Sequence, residues 1–191
     1  YEVADYITIN ISSPNTENLR NLHDQDRLNE LLNEIKKEKI SLNSKIPIVV
    51  KIAPDINDDE IEKVSEVLMS SEVEAAIISN TSDRTRENLK NIQKHQKGGL
   101  SGKPIEDRSN ILINKFYRLL KNQIKIIGVG GVDSGLSAYN KILSGASYVQ
   151  LYTGMVYKGP NVVHMIKNDL SKLFLKDGVN NFTEIIGNKS K

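Results

Sequence analysis

The chain has no cysteine and no tryptophan among its 191 residues. Without cysteine it cannot contain a disulfide framework, a thiolate zinc site, a cysteine-ligated iron–sulfur cluster or a cysteine nucleophile. The formal net charge is only +2, so the strong positive charge typical of nucleic-acid binding is missing. No apolar run approaches the roughly 18 to 20 residues of a membrane span. The remaining composition is typical of one globular domain, and no metal site is predicted.

The order of apolar runs predicts alternating strands and helices. Strands are predicted at 6–11, 48–52, 75–79, 124–129 and 148–152, because these runs are apolar and rich in β-branched residues. Amphipathic spacing predicts helices over about 26–40, from Asn57, from about Asp107, near Ser134 and from about Pro160, with a short one at 181–186. Five such units in series predict an α/β protein with a parallel sheet.

Two architectures fit this order, a doubly wound open sheet and part of a barrel. Unusual polar or glycine-rich clusters follow all five strands, which favours a barrel, because a barrel enzyme builds its site from every strand end. A doubly wound sheet binds mostly at one switch point. A complete eight-stranded barrel typically needs about 250 residues, and the chain begins at Tyr1 without an initiator Met. We therefore expect a piece of a longer protein.

Several clusters carry possible chemistry, each with an ordinary alternative. Lys51 lies inside an apolar strand, where a buried lysine is costly. The sequence predicts either that it pairs with an anion or that it reaches solvent from the strand end. The glycines of 128–131 precede a helix start, which is typical of a phosphate site but also of a tight turn. Pairing them with Tyr152 and Thr153, after the next strand, favours a barrel phosphate site. The glycines of 98–104 suit either a binding loop or a flexible linker.

Polar residues near the ends of other strands suggest recognition of a planar ligand. Asn10, Asn15 and Asn80 lie at or just beyond strand ends, where single asparagines are usually turn formers. If these three asparagines converge, their side-chain amides would suit recognition of a planar polar ligand. Ser13 has no histidine nearby in sequence, so a Ser-His-Asp triad has little support. The three histidines, His23, His95 and His164, are assigned to surface or structural roles.

Six ordered segments carry a family resemblance. They are Asn10-Ile-Ser-Ser-Pro-Asn-Thr16, Val50-Lys-Ile-Ala-Pro-Asp55, Ile78-Ser-Asn-Thr81, Gly98-Gly-Leu-Ser-Gly-Lys-Pro104, Ile127-Gly-Val-Gly-Gly131 and Val149-Gln-Leu-Tyr-Thr153. In this order they resemble dihydroorotate dehydrogenase, over nearly the whole chain. The match is to the class 2, membrane-associated, quinone-reducing branch. Class 1 enzymes have a catalytic cysteine in a Ser-Cys-Pro-Asn context, where this chain has Ser12-Ser13.

The resemblance implies a fold, a cofactor and a reaction. The family fold is a (β/α)₈ TIM barrel with FMN at its C-terminal face, and this chain would cover about strands four to eight. Residues 1–191 would be the C-terminal part of a single FMN-binding barrel domain. The N-terminal part of the barrel and the membrane-associating helices would lie outside it. The reaction would be oxidation of dihydroorotate to orotate in pyrimidine (UMP) biosynthesis, with a ubiquinone-type acceptor and peripheral association with a mitochondrial or bacterial inner membrane.

Roles carried over from the family fall on matching positions. Ser13 would be the catalytic base. Substrate would be held by Asn10, Asn15, Asn80 and Thr81. FMN would be held by Asn10, Lys51, Ser79, Ser101, Gly102, Val129, Gly130, Gly131, Leu151, Tyr152 and Thr153.

Two alternatives remain at this point. One is another FMN barrel oxidoreductase acting on pyrimidines, which the absence of cysteine disfavours because such enzymes normally use a cysteine acid or base. The other is a catalytically inert half-barrel fragment. Residues 1–191 expressed alone are expected to be poorly soluble or oligomeric, to bind FMN weakly at best and not to oxidise dihydroorotate, because the first and last strands would be unpaired edges.

Overall fold

The computed structural model describes residues 1–13, 22–84 and 86–188. Within these ranges one parallel sheet holds five strands in sequence order, β1-β2-β3-β4-β5. The strands are β1 (Ile7–Asn10), β2 (Ile48–Ile52), β3 (Ala75–Ile78), β4 (Lys125–Val129) and β5 (Tyr148–Gln150). The helices are α1 (Gln25–Ser41), α2 (Asp58–Ser70), α3 (Glu106–Leu120), α4 (Gly135–Ser144), α5 (Thr153–Lys158) and α6 (Val162–Lys176). The predicted parallel α/β sheet is confirmed.

The two faces of the sheet bury different residues. Val50 and Ile52 of β2 point into the outer core beneath the helices, together with Leu28 of α1 and Phe116 of α3. The opposite face, here called the inner face, carries a smaller apolar cluster of Val49, Ala75, Ile77 and Ile127. Strands β2 and β3 therefore alternate between two buried surfaces, which explains why they are almost wholly apolar.

The sheet is curved, with the inner face concave. β1 and β5 are its opposite edges, yet the side-chain amide of Gln150 donates to the Tyr6 hydroxyl at 3.1 Å. A flat sheet of five strands, each about 4.8 Å from the next, would hold these side chains too far apart. The curvature gathers the carboxyl ends of all five strands around one space.

Helix caps explain where two of the predicted helices begin. Asn57 and Glu60 form a capping box at the start of α2, as their spacing predicts. Ser134 caps α4 by accepting from the Ser137 backbone N–H, so the helix begins directly after the β4 loop. Helix α5 was not predicted, because its six residues are too few to show a periodic pattern.

The long stretch between β3 and α3 is closed by contacts between its two ends. Ser82 and Leu100 form an isolated antiparallel bridge, and the Ser82 hydroxyl donates to Asp55 at 2.6 Å. Two 3₁₀ helices lie in this stretch, Ile92–His95 and Lys103–Ile105. The second leads directly into α3. Across the described residues, no helix has the length and apolar character needed to cross a bilayer.

Candidate active site

A cavity of about 610 Å³ opens at the carboxyl edge of the sheet. Its volume lies within the range of small-molecule and cofactor sites, about 300 to 1,000 Å³. The walls come from the ends of β2, β3, β4 and β5 and from the loop before α3. The predicted residues lining it are Lys51, Ser79, Asn80, Thr81, Ser101, Gly102, Val129, Gly130, Gly131, Leu151, Tyr152 and Thr153. Segments widely separated in sequence thus meet at one site.

The loop after β4 is a glycine turn held against the start of α3. Gly131 has φ +79°, a left-handed conformation that favours glycine. A Cβ added there would lie 2.4 Å from the Cβ of Glu106 and 2.8 Å from its Cα. No larger residue fits without displacing α3. The backbone of this turn therefore lines the cavity without intervening side chains, as a phosphate site requires.

The loop before α3 and the loop after β5 are joined beside this turn. The Thr153 hydroxyl donates to the Ser101 hydroxyl at 2.9 Å. Gly102 has φ +76°, and a Cβ there would approach the Thr153 methyl group to 2.9 Å. The Lys158 ammonium, at the end of α5, donates to the Asp133 carbonyl at 2.9 Å. These contacts make the three loops one continuous wall.

Lys51 lies on the inner face, where alternation along β2 places it with Val49. It lines the cavity, and burial lowers the pKa of its ammonium. Within residues 1–13, 22–84 and 86–188 its ammonium has no hydrogen-bond or ion-pair partner. A half-buried cation facing a cavity without a counter-charge is suited to an anionic ligand. This position supports the anion-binding alternative for Lys51 over the solvent-reaching one.

Amide and hydroxyl groups meet at the ends of β1 and β3. The Asn80 side-chain amide donates to the Ser12 hydroxyl at 3.0 Å and lies 3.4 Å from the side-chain oxygen of Asn10. The Ser12 hydroxyl in turn donates to that Asn10 oxygen at 2.8 Å. The Thr81 backbone N–H donates to the Asn80 side-chain oxygen at 2.8 Å. Here we call Asn10, Ser12 and Asn80 the amide cluster.

The remaining predicted residues are placed as follows. Ser13 comes directly after the buried Ser12 and is partly buried. Asn15 lies outside the described residues. Tyr152 borders the cavity, yet the residue is 78% exposed. His23 is buried, and its Nε2 accepts from the Ala53 backbone N–H at 3.4 Å, in keeping with a structural role.

Sequence reasoning missed three contributors to the site. The sequence predicts no role for Ser12, although its burial and hydrogen bonds make it the centre of the amide cluster. Gln150 lines the cavity from β5, although the sequence predicts only a strand there. Ile105, at the end of the second 3₁₀ helix, and Glu106, at the start of α3, support the glycine turn. The sequence signal available for Ile105 was an apolar residue close to the glycines of 98–104.

A curved parallel sheet with its polar residues gathered at the carboxyl edge defines part of a (β/α)₈ barrel, with the site where such barrels place it. The model of the dihydroorotate dehydrogenase family matches residues 1–174. The chain belongs to this family, as its ordered motifs predict.

Relatives and solved structures agree with that assignment. The "Dihydroorotate dehydrogenase (quinone)" of Bartonella tribocorum is 43% identical over 189 residues, 96% of this chain and 52% of that protein. The protein of the same name from Idiomarina loihiensis is 44% identical over 174 residues, 89% of this chain and 52% of its own length. A crystal structure of DHODH from Eimeria tenella in complex with ferulenol is similar with a TM-score of 0.94 and 33% identity, covering 98% of this chain and 55% of that one. The chain therefore spans about half the length of the curated relatives it matches.

Proposed function

We propose that this chain carries part of the active site of a quinone-dependent dihydroorotate dehydrogenase, which oxidises dihydroorotate to orotate. The observation that supports the proposal most strongly is the meeting of three kinds of group around one edge of the sheet. A glycine turn suits a phosphate, the half-buried Lys51 suits an anionic ring, and the amide cluster suits a planar polar substrate.

The cavity fits FMN as the cofactor. The φ of Gly131 and its contact with Glu106 leave bare backbone facing the cavity, which suits the phosphate ester. Lys51 would stabilise negative charge on the pyrimidine end of the ring. The residues that would hold FMN are Asn10, Lys51, Ser79, Ser101, Gly102, Val129, Gly130, Gly131, Leu151, Tyr152 and Thr153. When bound, FMN supplies the acceptor for the hydride that leaves C6 of dihydroorotate.

The other end of the site would bind and deprotonate the substrate. Asn10, Asn80 and Thr81, with Asn15, would hold the carbonyl and N–H groups along the substrate's edge. Ser13, to which the family resemblance assigns the catalytic base, would take the proton from C5, and it follows the amide cluster directly in the chain. A serine hydroxyl is a weak base at neutral pH, so the rate of this step should rise with pH.

The wider assignments belong to the same proposal. Residues 1–191 would form the C-terminal part of one FMN-binding barrel domain. The acceptor would be a ubiquinone-type quinone, and the enzyme would associate peripherally with an inner membrane. These assignments are supported by the family membership and by the names of the relatives.

The test is anaerobic mixing of the full-length enzyme with dihydroorotate. The expected result is loss of the oxidised flavin absorbance together with formation of one orotate per flavin. Dihydrouracil and dihydrouridine serve as control substrates, because another pyrimidine-reducing barrel enzyme would respond to one of them. Reduction by a control substrate but not by dihydroorotate would overturn the proposal. An FMN-free enzyme with no response to any of the three would favour an inert barrel.

A further inference from the structure

Lys141 of α4 is a fully buried lysine that the proposed reaction does not use. Its stem packs against β4, where a Cβ on Gly128 would lie 3.1 Å from its Cδ. Its ammonium donates to the Ser109 hydroxyl and to the Asn110 side-chain oxygen, each at 3.0 Å. Both acceptors are neutral. A buried ammonium that contacts only neutral groups costs stability, so this arrangement needs a reason.

Charged groups near Lys141 come from the start of α3 and the turn before it. Glu106 and Asp107 act on it through space and favour its charged form, whereas Lys103 opposes that form. Glu106 is itself paired with Lys103 at 2.5 Å. No carboxylate of the described residues lies within ion-pair distance of Lys141. The positive charge is therefore only partly balanced inside the protein.

A short chain of hydrogen bonds leads from Lys141 to the glycine turn. The Ser109 hydroxyl, which accepts from Lys141, donates to the Val129 carbonyl at 2.7 Å. The same carbonyl accepts from the Ser79 backbone N–H at 3.1 Å. Val129 directly precedes Gly130, where an added Cβ would lie 3.3 Å from the Cβ of Ser109. The ammonium thus lies behind the turn, two hydrogen bonds from the carbonyl where the turn begins.

We propose that Lys141 is a positioning residue for the glycine turn, which it makes selective for a phosphate ester over the uncharged alcohol. Through Ser109 it holds the Val129 carbonyl, and its buried charge makes the space in front of the turn favourable for an anion. Burial lowers the pKa of Lys141 to about 8, which leaves the ammonium mostly charged at neutral pH. The inference deepens the proposed function, since it takes FMN as the phosphate ester.

The test compares FMN with riboflavin, which has the same ring and no phosphate. Full-length enzyme freed of flavin is titrated with each by fluorescence quenching. Lys141→Met is expected to raise the Kd for FMN at least about tenfold and to change the Kd for riboflavin by less than about threefold, because only FMN carries the charge. Lys115→Met is the control, since it removes the same charge from an exposed position on α3 and should change neither Kd.

Ser109→Ala tests the connection while leaving the charge in place. It is expected to weaken FMN binding too, and the double variant should lose less binding free energy than the two single losses combined, because both residues act on one carbonyl. An equal loss of FMN and riboflavin affinity in Lys141→Met would show ordinary packing and overturn the proposal. An unchanged Kd for FMN would also overturn it. If Lys141→Met does not fold, Lys141→Gln and Ser109→Ala decide by the same ratio of affinities.

The readout is an affinity ratio and does not depend on dihydroorotate oxidation. A failure of the proposed function would appear in the mixing experiment, whereas a failure of this inference would appear in the flavin titrations.

Discussion

The two ends of the candidate site are built in different ways. The proposed phosphate end uses backbone: the turn at Gly130 and Gly131 is pressed against the first turn of α3 and bordered by Thr153. The proposed substrate end uses side chains, in which Asn10 and Asn80 meet across the edge of the sheet through Ser12. The phosphate end is therefore shaped by close packing, and the substrate end by hydrogen-bond donors and acceptors that can be exchanged one at a time.

This difference predicts how each end responds to mutation. A backbone site held by packing should fail when volume is added, because the neighbouring helix must move. A side-chain site should keep its shape when one group is removed, and lose only the chemistry of that group. The predictions below test this contrast, beginning with the largest expected effect.

Gly131→Ala should damage the phosphate end most severely. The added methyl would overlap Glu106, and the positive φ adds a backbone cost of about 1 to 2 kcal/mol. With about 1 to 3 kcal/mol for the overlap, FMN affinity should fall by about 30-fold or more. Gly178→Ala is the matched control, since Gly178 has φ +67° and open space around it. FMN titration should show no change for the control, and a Gly131→Ala variant with parental affinity would refute the packed-turn account.

Ser13→Ala should slow the chemistry strongly while leaving the shape of the substrate end unchanged. Flavin reduction by dihydroorotate, followed by stopped flow, is expected to slow at least about 100-fold, since general-base catalysis contributes that much. Ser13→Cys should retain more activity than Ser13→Ala. Ser12→Ala is the control for the neighbouring hydroxyl and should weaken substrate binding more than it slows reduction. Reduction of Ser13→Ala within about threefold of the parent rate would rule out the assignment.

Lys51→Met should have a smaller effect, on the flavin ring between the two ends. Removing the Lys51 ammonium should either weaken FMN binding about tenfold or lower the flavin reduction potential, because negative charge on the reduced ring loses its partner. Affinity is measured by titration and the potential by equilibration with a reference dye. Parental values for both would mean that Lys51 reaches solvent instead.

The smallest predicted effect concerns stability and pH at Lys141. Its pKa is about 8 in the folded chain and near 10.5 in the unfolded chain, so the unfolded state binds more protons between these values. The compared quantity is the difference in free energy of unfolding between the flavin-free parent enzyme and its Lys141→Met variant. This difference should therefore rise by about 1 kcal/mol from about pH 7 to about pH 9. Urea unfolding of both proteins measures this difference, in which other titrating groups cancel. A difference that falls with pH would mean that Lys141 is stabilised by its charge.

Much of this fold was predictable from local pattern. The apolar runs of β2 and β3 and the capping signals at Asn57 and Ser134 are local features, and the structure follows them. Helix α5 was not predictable, because six residues carry too little periodicity. Strands β2 and β4 end where their apolar runs end, whereas β3 and β5 end earlier, since Ser79 and Leu151 leave the ladder to form the site.

The site was predictable in its residue types but not in its contacts. Strand-end asparagines and glycines are visible in sequence, and parallel topology brings strand ends to one edge. What sequence could not give is which groups pair across that edge. Ser12 gains its place from a partner 68 positions away, and Lys141 reaches Ser109 across 32 positions. Such contacts depend on the curvature of the sheet and on helix packing, which no local sequence pattern predicts.

The most direct test of the two-ended site is a crystal structure of the full-length enzyme with FMN and orotate bound. The account predicts the FMN phosphate against Gly130 and Gly131, the ring beside Lys51, and orotate hydrogen-bonded to Asn10 and Asn80 with Ser13 at its C5 edge. A phosphate bound away from both glycines, or orotate bound away from both asparagines, would contradict it.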